Sequence, residues 1–185
     1  MNASPPPEQL KRGRVKLALL GAFFALPFVL APLAYWLDWA PGSSSNYGEL
    51  VSPPRPLAGA PFDALRGKWL LVSFDAAACD AYCEKKLYYL RQVRRAQGKN
   101  EARVERLWLL VGEGKPRAEL LTAIEGTHVV PAAAIPALFP AAGSVTDHIY
   151  VIDPLGNLML RFPRDPDPSR ILKDLQRLLK VSRIG

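Results

Sequence analysis

The sequence is sparing with the residues that most often carry site chemistry. Its 185 residues include two cysteines, two histidines and two methionines, one of them Met1. No GxxxxGK(S/T) phosphate loop, GxGxxG dinucleotide fingerprint or GxSxG nucleophile elbow occurs. The chain therefore lacks the usual backbone devices for cradling a nucleoside phosphate or a dinucleotide, or for exposing a hydrolase serine. Internal repeats are missing too. The formal net charge is +7, yet the basic residues are nowhere interleaved with aromatics, so the charge gives no argument for nucleic acid. A modest positive balance suits a membrane surface or an acidic partner.

What is present begins with a charge step. Lys11, Arg12, Arg14 and Lys16 stand against Glu8 just before Leu17–Leu37, a run of 21 residues without a charge. As a helix rising about 1.5 Å per residue, that run spans a hydrocarbon core of roughly 30 Å. Pro27 and Pro32 are tolerated better in a membrane helix than in a soluble one. Tyr35, Trp36 and Trp39 stand at the far end, where amphipathic rings favour the interface. The run is longer than a usual signal-peptide core, and no small-x-small cleavage site follows it, so it reads as an uncleaved anchor. The basic cluster marks its own side as cytoplasmic. The expected organisation is a basic cytoplasmic tail over 1–16, a transmembrane anchor over 17–39, a Gly/Ser/Pro-rich linker over 40–56 and a folded domain over 57–185. On this reading the anchor lies in the inner (cytoplasmic) membrane. The domain lies outside the cytoplasm, where two cysteines can pair.

Within the domain, Trp69–Phe74 and Arg106–Val111 are short apolar runs bounded by turn residues and read as buried strands. From Cys79 the period becomes helical, with Leu87, Leu90 and Val93 inward and Lys85, Lys86, Arg91, Arg94 and Arg95 on a solvated face. Pro116–Ile124 reads as a short helix and Val129–Val145 as irregular chain. His148–Asp153 and Leu158–Phe162, joined by Pro154-Leu155-Gly156-Asn157, read as a hairpin, and Ser169–Lys180 as a closing amphipathic helix. Two strands joined through a helix form a right-handed parallel unit. With the hairpin and last helix, the fold class is α/β, a thioredoxin-like sandwich behind a single N-terminal transmembrane helix.

Both cysteines fall where the first of these strands turns into its helix. Cys79 lies at the helix start, whose free N–H groups and partial positive charge favour a thiolate. Cys83 lies one turn on and projects from the same face. Sulfurs so placed can close a disulfide or hold a metal ion. Dithiol reductases of this fold use two intervening residues; here there are three, Asp80, Ala81 and Tyr82. Two thiolates leave copper or zinc short of ligands, and the third candidate is His148, at the start of the hairpin. His128 reads as a loop histidine, Met159 as a core residue, and Asp165 and Asp167 as a helix-entry turn.

Strand, Cys-x-x-x-Cys at a helix start, Asp147-His148 ahead of Tyr150-Val151-Ile152-Asp153-Pro154-x-Gly156, all behind one anchor, resembles the Sco/SenC family. That resemblance implies a membrane-anchored thioredoxin-fold protein. It would bind one copper ion, Cu(I) or Cu(II), through Cys79, Cys83 and His148, with Asp147 as a neighbour. It further implies assistance in assembling the copper site in subunit II of cytochrome c oxidase, or in another copper protein. The family places prolines after its cysteines, where this chain has Asp80 and Glu84. The alternative is an extracytoplasmic thiol-disulfide oxidoreductase, with Cys79 and Cys83 as its catalytic pair, keeping a partner's cysteines reduced.

Overall fold

A computed structural model describes residues 7–36, 46–132, 135–141, 143–182 and 184, without the side chains of 7–11 and 35. The chain divides into two units, residues 1–44 and 45–185. In the first, helix α1 runs from Pro7 to Trp36 through Pro27 and Pro32. Its segment Arg12–Ala34 has a mean hydropathy of 2.3 and is long and apolar enough to cross a membrane. The expected basic tail is thus helical from Pro7 onward, continuous with the span. Trp39, the ring of Tyr35 and linker residues 40–45 lie outside the described residues.

The second unit is built on β2, Trp69–Asp75. Every residue of it is buried, because alternate side chains enter apolar layers on opposite faces of the sheet. Trp69 and Leu71 point to one layer, Leu70, Val72 and Phe74 to the other. Around β2 a six-stranded sheet runs in the order β1-β6-β5-β2-β3-β4. Parallel to β2 lies β3 (Val104–Leu110), and β4 (Thr127–Pro131) is parallel to β3. On the other side β5 (Ile149–Ile152) pairs antiparallel with β2, β6 (Asn157–Arg161) with β5, and β1 (Glu49–Pro56) with β6.

Helix α2 (Ala81–Arg95) and helix α4 (Pro168–Val181) pack together on one face, with the short α3 (Ala118–Ala123) beside them. The opposite layer is aromatic: Phe139 lies 4.8 Å from Phe74 and 5.0 Å from Tyr150, ring centre to ring centre. The expected order of strand, helix, strand, helix, hairpin, helix is present. So is the thioredoxin-like α/β class, behind an N-terminal helix with the length and composition of a membrane span.

Two expectations need correction. The linker does not extend to residue 56: Glu49–Pro56 is strand β1, with a register shift between Leu50 and Arg55. Its prolines are tolerated because it is an edge strand, whose outer N–H groups have no ladder to enter. Just before it, the backbone N–H groups of Tyr47 and Gly48 donate to Asp174 of α4, each at 2.8 Å, so the folded unit begins ahead of β1. The stretch after Val129 is likewise not wholly irregular, since Thr127–Pro131 adds β4. Its half-buried edge position leaves no clean alternation to read.

Candidate functional site

The site is assembled where β2 ends. Asp75 closes the strand, and Ala76–Ala78 make a turn in which the Cys79 N–H donates to the Ala76 carbonyl at 3.0 Å. Cys79 takes φ = +42°, the left-handed region that costs a non-glycine residue about 1 kcal/mol or more. Strain of this kind survives only where the surroundings impose it. Asp80 then caps α2, its carboxylate accepting from the Cys83 N–H at 2.8 Å. An Asp cap contributes about 1 kcal/mol over alanine and suits the positive end of a helix. Of the two residues that depart from the Cys-Pro pattern, Asp80 is therefore the one that starts the helix.

Cys79 and Cys83 form a disulfide, with their Cα atoms 5.2 Å apart, inside the usual range. The two residues are 4% and 1% exposed, so both are buried. They line an open pocket of about 270 Å³ with Asp75, Ala78, Asp80 and Thr146.

Beneath the pocket lies a buried ion pair that the sequence reading misplaced. Lys86, assigned to the solvated face of α2, is 0% exposed. Its Nζ lies 2.9 Å from the Asp75 carboxylate and donates to the Phe74 carbonyl at 3.2 Å and to the Thr146 carbonyl. Ser73 Oγ donates to Asp75 at 2.8 Å. Burial pushes the Asp75 carboxyl up and the Lys86 ammonium down, each opposed by the other's charge. Three donor positions meet three acceptors, so the ammonium is fully satisfied. The cation ties α2, the end of β2 and the turn Val145–Asp147 into one unit around the cysteines. The sequence did carry a signal: position 86 lies in phase with Cys83, Leu90 and Val93, on the inward stripe.

The rim is tied in the same way. Tyr82 Oη donates to the Asp147 carbonyl and accepts from the Asp165 N–H, both at 2.9 Å. Burial raises its pKa. Arg117 pairs with Glu84 and lies 3.4 Å from the Cys79 carbonyl, a contact between the α3 entry and the cysteine turn that the sequence pattern did not announce.

His148 is 5% exposed and directly precedes β5. Its Nδ1 lies 2.8 Å from the Phe162 carbonyl, which can only accept, so Nδ1 carries the proton and donates. Metal-binding histidines are commonly oriented by such a bond on the second ring nitrogen. The cysteine pocket, however, is lined from this segment by Thr146 and not by His148. Among the described residues, no group of three or more His, Cys, Asp and Glu side chains is arranged to hold a metal ion. The structure thus joins Cys79 to Cys83 and leaves the third expected ligand outside their pocket. His128 is on β4, its Nε2 3.5 Å from Glu105. Met159 packs against the core, Asp165 pairs with Lys85 at 2.6 Å, and Asp167 caps α4, accepting from Ser169 N at 2.8 Å.

Comparison with known proteins agrees with this architecture. Residues 69–182 match the family described as "Transmembrane-like, thioredoxin-like, C-terminal domain". Among solved structures, yeast Sco1 with copper bound superposes with a TM-score of 0.56 at 14% identity, over 65% of this chain and 84% of that one. Apo Sco1 from Thermus thermophilus gives 0.53 at 17% identity, covering 74% and 99%. Arabidopsis thaliana ScoI with copper bound gives 0.51 at 12%, also covering 74% and 99%. A search of curated proteins finds no match to the sequence. At such identities the likeness to Sco proteins is one of fold. With the match over 69–182, the chain belongs to the transmembrane-like, thioredoxin-like C-terminal domain family and shares its fold with Sco1 proteins.

Proposed function

We propose that this protein is a membrane-anchored, extracytoplasmic copper carrier of Sco type, whose Cys79–Cys83 pair alternates between a disulfide and a copper-binding dithiol. The observation that carries the reading is the sulfur pair itself: two cysteines closed across the first turn of α2, in an open pocket, on a Sco-like scaffold. Soft sulfurs at the positive end of a helix suit Cu(I) and remain accessible to Cu(II). His148 is the proposed third ligand, its ring already oriented through Nδ1 by Phe162. Copper here is cargo, and the recipient is a copper protein such as subunit II of cytochrome c oxidase. The basic residues Lys11–Lys16 support a reading with the N-terminus in the cytoplasm and the domain outside the inner membrane.

Loading requires the disulfide to open, and a dithiol partner supplies the electrons. Its thiolate attacks Cys79, the slightly more exposed residue of the pair; a new sulfur–sulfur bond forms, and Cys83 leaves as a thiolate that takes up a proton. The partner's second thiol then displaces Cys79, which leaves with the other proton. The partner becomes a disulfide and Cys79 and Cys83 become thiols. Binding Cu(I) to both sulfurs releases two protons. Asp80 holds the helix start throughout, and Lys86 holds the turn that carries Thr146 against it.

The test is copper titration of the reduced protein. One ion is expected to bind, with binding abolished in Cys79→Ser/Cys83→Ser and weakened about 10- to 100-fold in His148→Ala. Undiminished affinity in the double variant would sink the proposal. A second reading, a thiol-disulfide oxidoreductase, is favoured by a cysteine pocket that His148 does not line. It expects the reduced pair to open a partner's disulfide with metal absent, at a rate that His148→Ala leaves unchanged.

A further inference from the structure

A second site opens where α2 ends. Ala96 caps the helix, and the 3₁₀ turn Gly98–Arg103 carries the chain away through Gly98, whose φ of +57° suits glycine. Gln97 sits between them. It continues the inward stripe of Cys83, Leu90 and Val93 and is only 6% exposed. Its Nε2 donates to the Val93 carbonyl at 3.0 Å, which fixes the amide and leaves Oε1 buried without a hydrogen-bond partner among the described residues. Folded proteins leave few buried acceptors unfilled, because the hydration lost on burial is not returned.

Gln97 lines a cleft of about 440 Å³ together with Lys99, Asn100, Gln176, Leu179 and Lys180. Lys99 and Lys180 are exposed, and neither forms a salt bridge or a hydrogen bond among the described residues. Asn100 accepts from Arg103 Nη1 through Oδ1 at 3.3 Å, so its Nδ2 is the group left to donate. No carboxylate stands among these lining residues. The cleft thus sets two cations and a neutral donor around one buried acceptor. The lysines repel a cationic ligand, a bare oxyanion such as sulfate leaves Oε1 unfilled, and a water molecule leaves the lysines unpaired. An anion that also carries a hydroxyl answers every group.

We infer that this cleft binds a free phosphate monoester of a small polyol, with the phosphate between Lys99 and Lys180 and a hydroxyl donating to Gln97 Oε1. A lysine ammonium holds phosphate as a point charge. Near neutral pH a monoester carries close to two negative charges, one for each lysine. The site stands at the opposite end of α2 from Cys83, roughly 20 Å along the helix at 1.5 Å per residue. It rests on neither copper nor the state of the disulfide.

The experiment is calorimetric titration of the full chain, copper-free and in micelles of an uncharged detergent. The probes are glycerol 3-phosphate, ethyl phosphate, glycerate and glycerophosphoglycerol, the soluble diester that heads phosphatidylglycerol. One molecule of glycerol 3-phosphate is expected to bind, about 3- to 10-fold tighter than ethyl phosphate, which has the charge without the hydroxyl. That preference should disappear in Gln97→Leu. Lys99→Gln/Lys180→Gln, two changes of exposed side chains, should weaken both monoesters by about tenfold or more. Should Gln97→Leu fail to fold, the ethyl phosphate comparison and the lysine variant still decide. Equal affinity for the two monoesters, affinity that survives loss of both lysines, or no binding of glycerol 3-phosphate overturns the site. Tighter binding of glycerate or of the diester overturns the monoester in favour of a hydroxycarboxylate or a lipid head.

Discussion

Two cations are buried between the sheet and its helical layer, and they are treated in opposite ways. Lys86, under the disulfide pocket, meets a carboxylate and two carbonyls and is wholly satisfied. Arg106 of β3, 3% exposed between Val104 and Trp108, donates through Nη2 to the Glu125 carbonyl at 2.6 Å. Its Nε and Nη1 have no hydrogen-bond partner among the described residues. Burial lowers the Arg106 pKa, and Arg94, Arg91 and Arg95 lower it further, yet a guanidinium stays charged. A buried charge is tolerated at both places, but only beside the cysteines does every donor find an acceptor. The difference teaches that the cysteine end is held by specific polar geometry. Beneath the far half of α2, apolar packing carries a poorly matched cation.

The comparison breaks first at Lys86. Lys86→Met leaves Asp75 buried without its counter-ion and is expected to cost about 3–5 kcal/mol, read as a fall in the denaturant midpoint. A loss under about 1 kcal/mol would mean that the pair does not organise the site. Replacing both partners, Asp75→Leu/Lys86→Met, should recover at least about 2 kcal/mol of that loss, because no charge then remains uncompensated.

Tyr150 sharpens the contrast with an uncharged case. Its Oη donates to the Pro140 carbonyl at 3.1 Å, and burial pushes its pKa from 10.0 up to about 12. The folded state therefore holds a proton that the unfolded chain has released. The stabilisation is complete below pH 10 and is lost as pH rises through about 12. Tyr150→Phe should remove this loss, worth about 2–3 kcal/mol, from the alkaline stability profile. The smallest effect is expected at Arg106. Arg106→Met exchanges a poorly matched buried cation for apolar volume and should change stability by less than about 1 kcal/mol, or raise it. A loss above about 3 kcal/mol would show that Arg106 is as specifically held as Lys86.

Much of the frame was legible in the sequence because it is encoded locally. The runs Trp69–Phe74 and Arg106–Val111, the turn residues of the hairpin and the inward stripe of Ser169–Lys180 each announce an element within its own window. The cysteine turn was legible for the same reason, since a strand ending and a helix beginning are both short-range signals. Asp80 was legible only in part. It was read as a departure from the prolines that follow the family's cysteines, and it is also the cap that begins α2. Edge strands β1 and β4 were not legible, because proline-rich or half-buried segments acquire strand structure only from a neighbour's free ladder.

The amino-acid sequence by itself determined that a span-length apolar helix precedes a thioredoxin-like domain, and that the only two cysteines lie one helical turn apart. Period, run length and spacing are properties of consecutive residues and survive without tertiary contacts. Only the tertiary structure decided that Lys86 is inside, that Asp75 and Thr146 border the sulfurs, and that His148 is turned to Phe162. Each of these depends on which carbonyls and carboxylates arrive from segments distant in the chain. A lysine stays in water unless such acceptors meet it, and no window of neighbouring residues records whether they do.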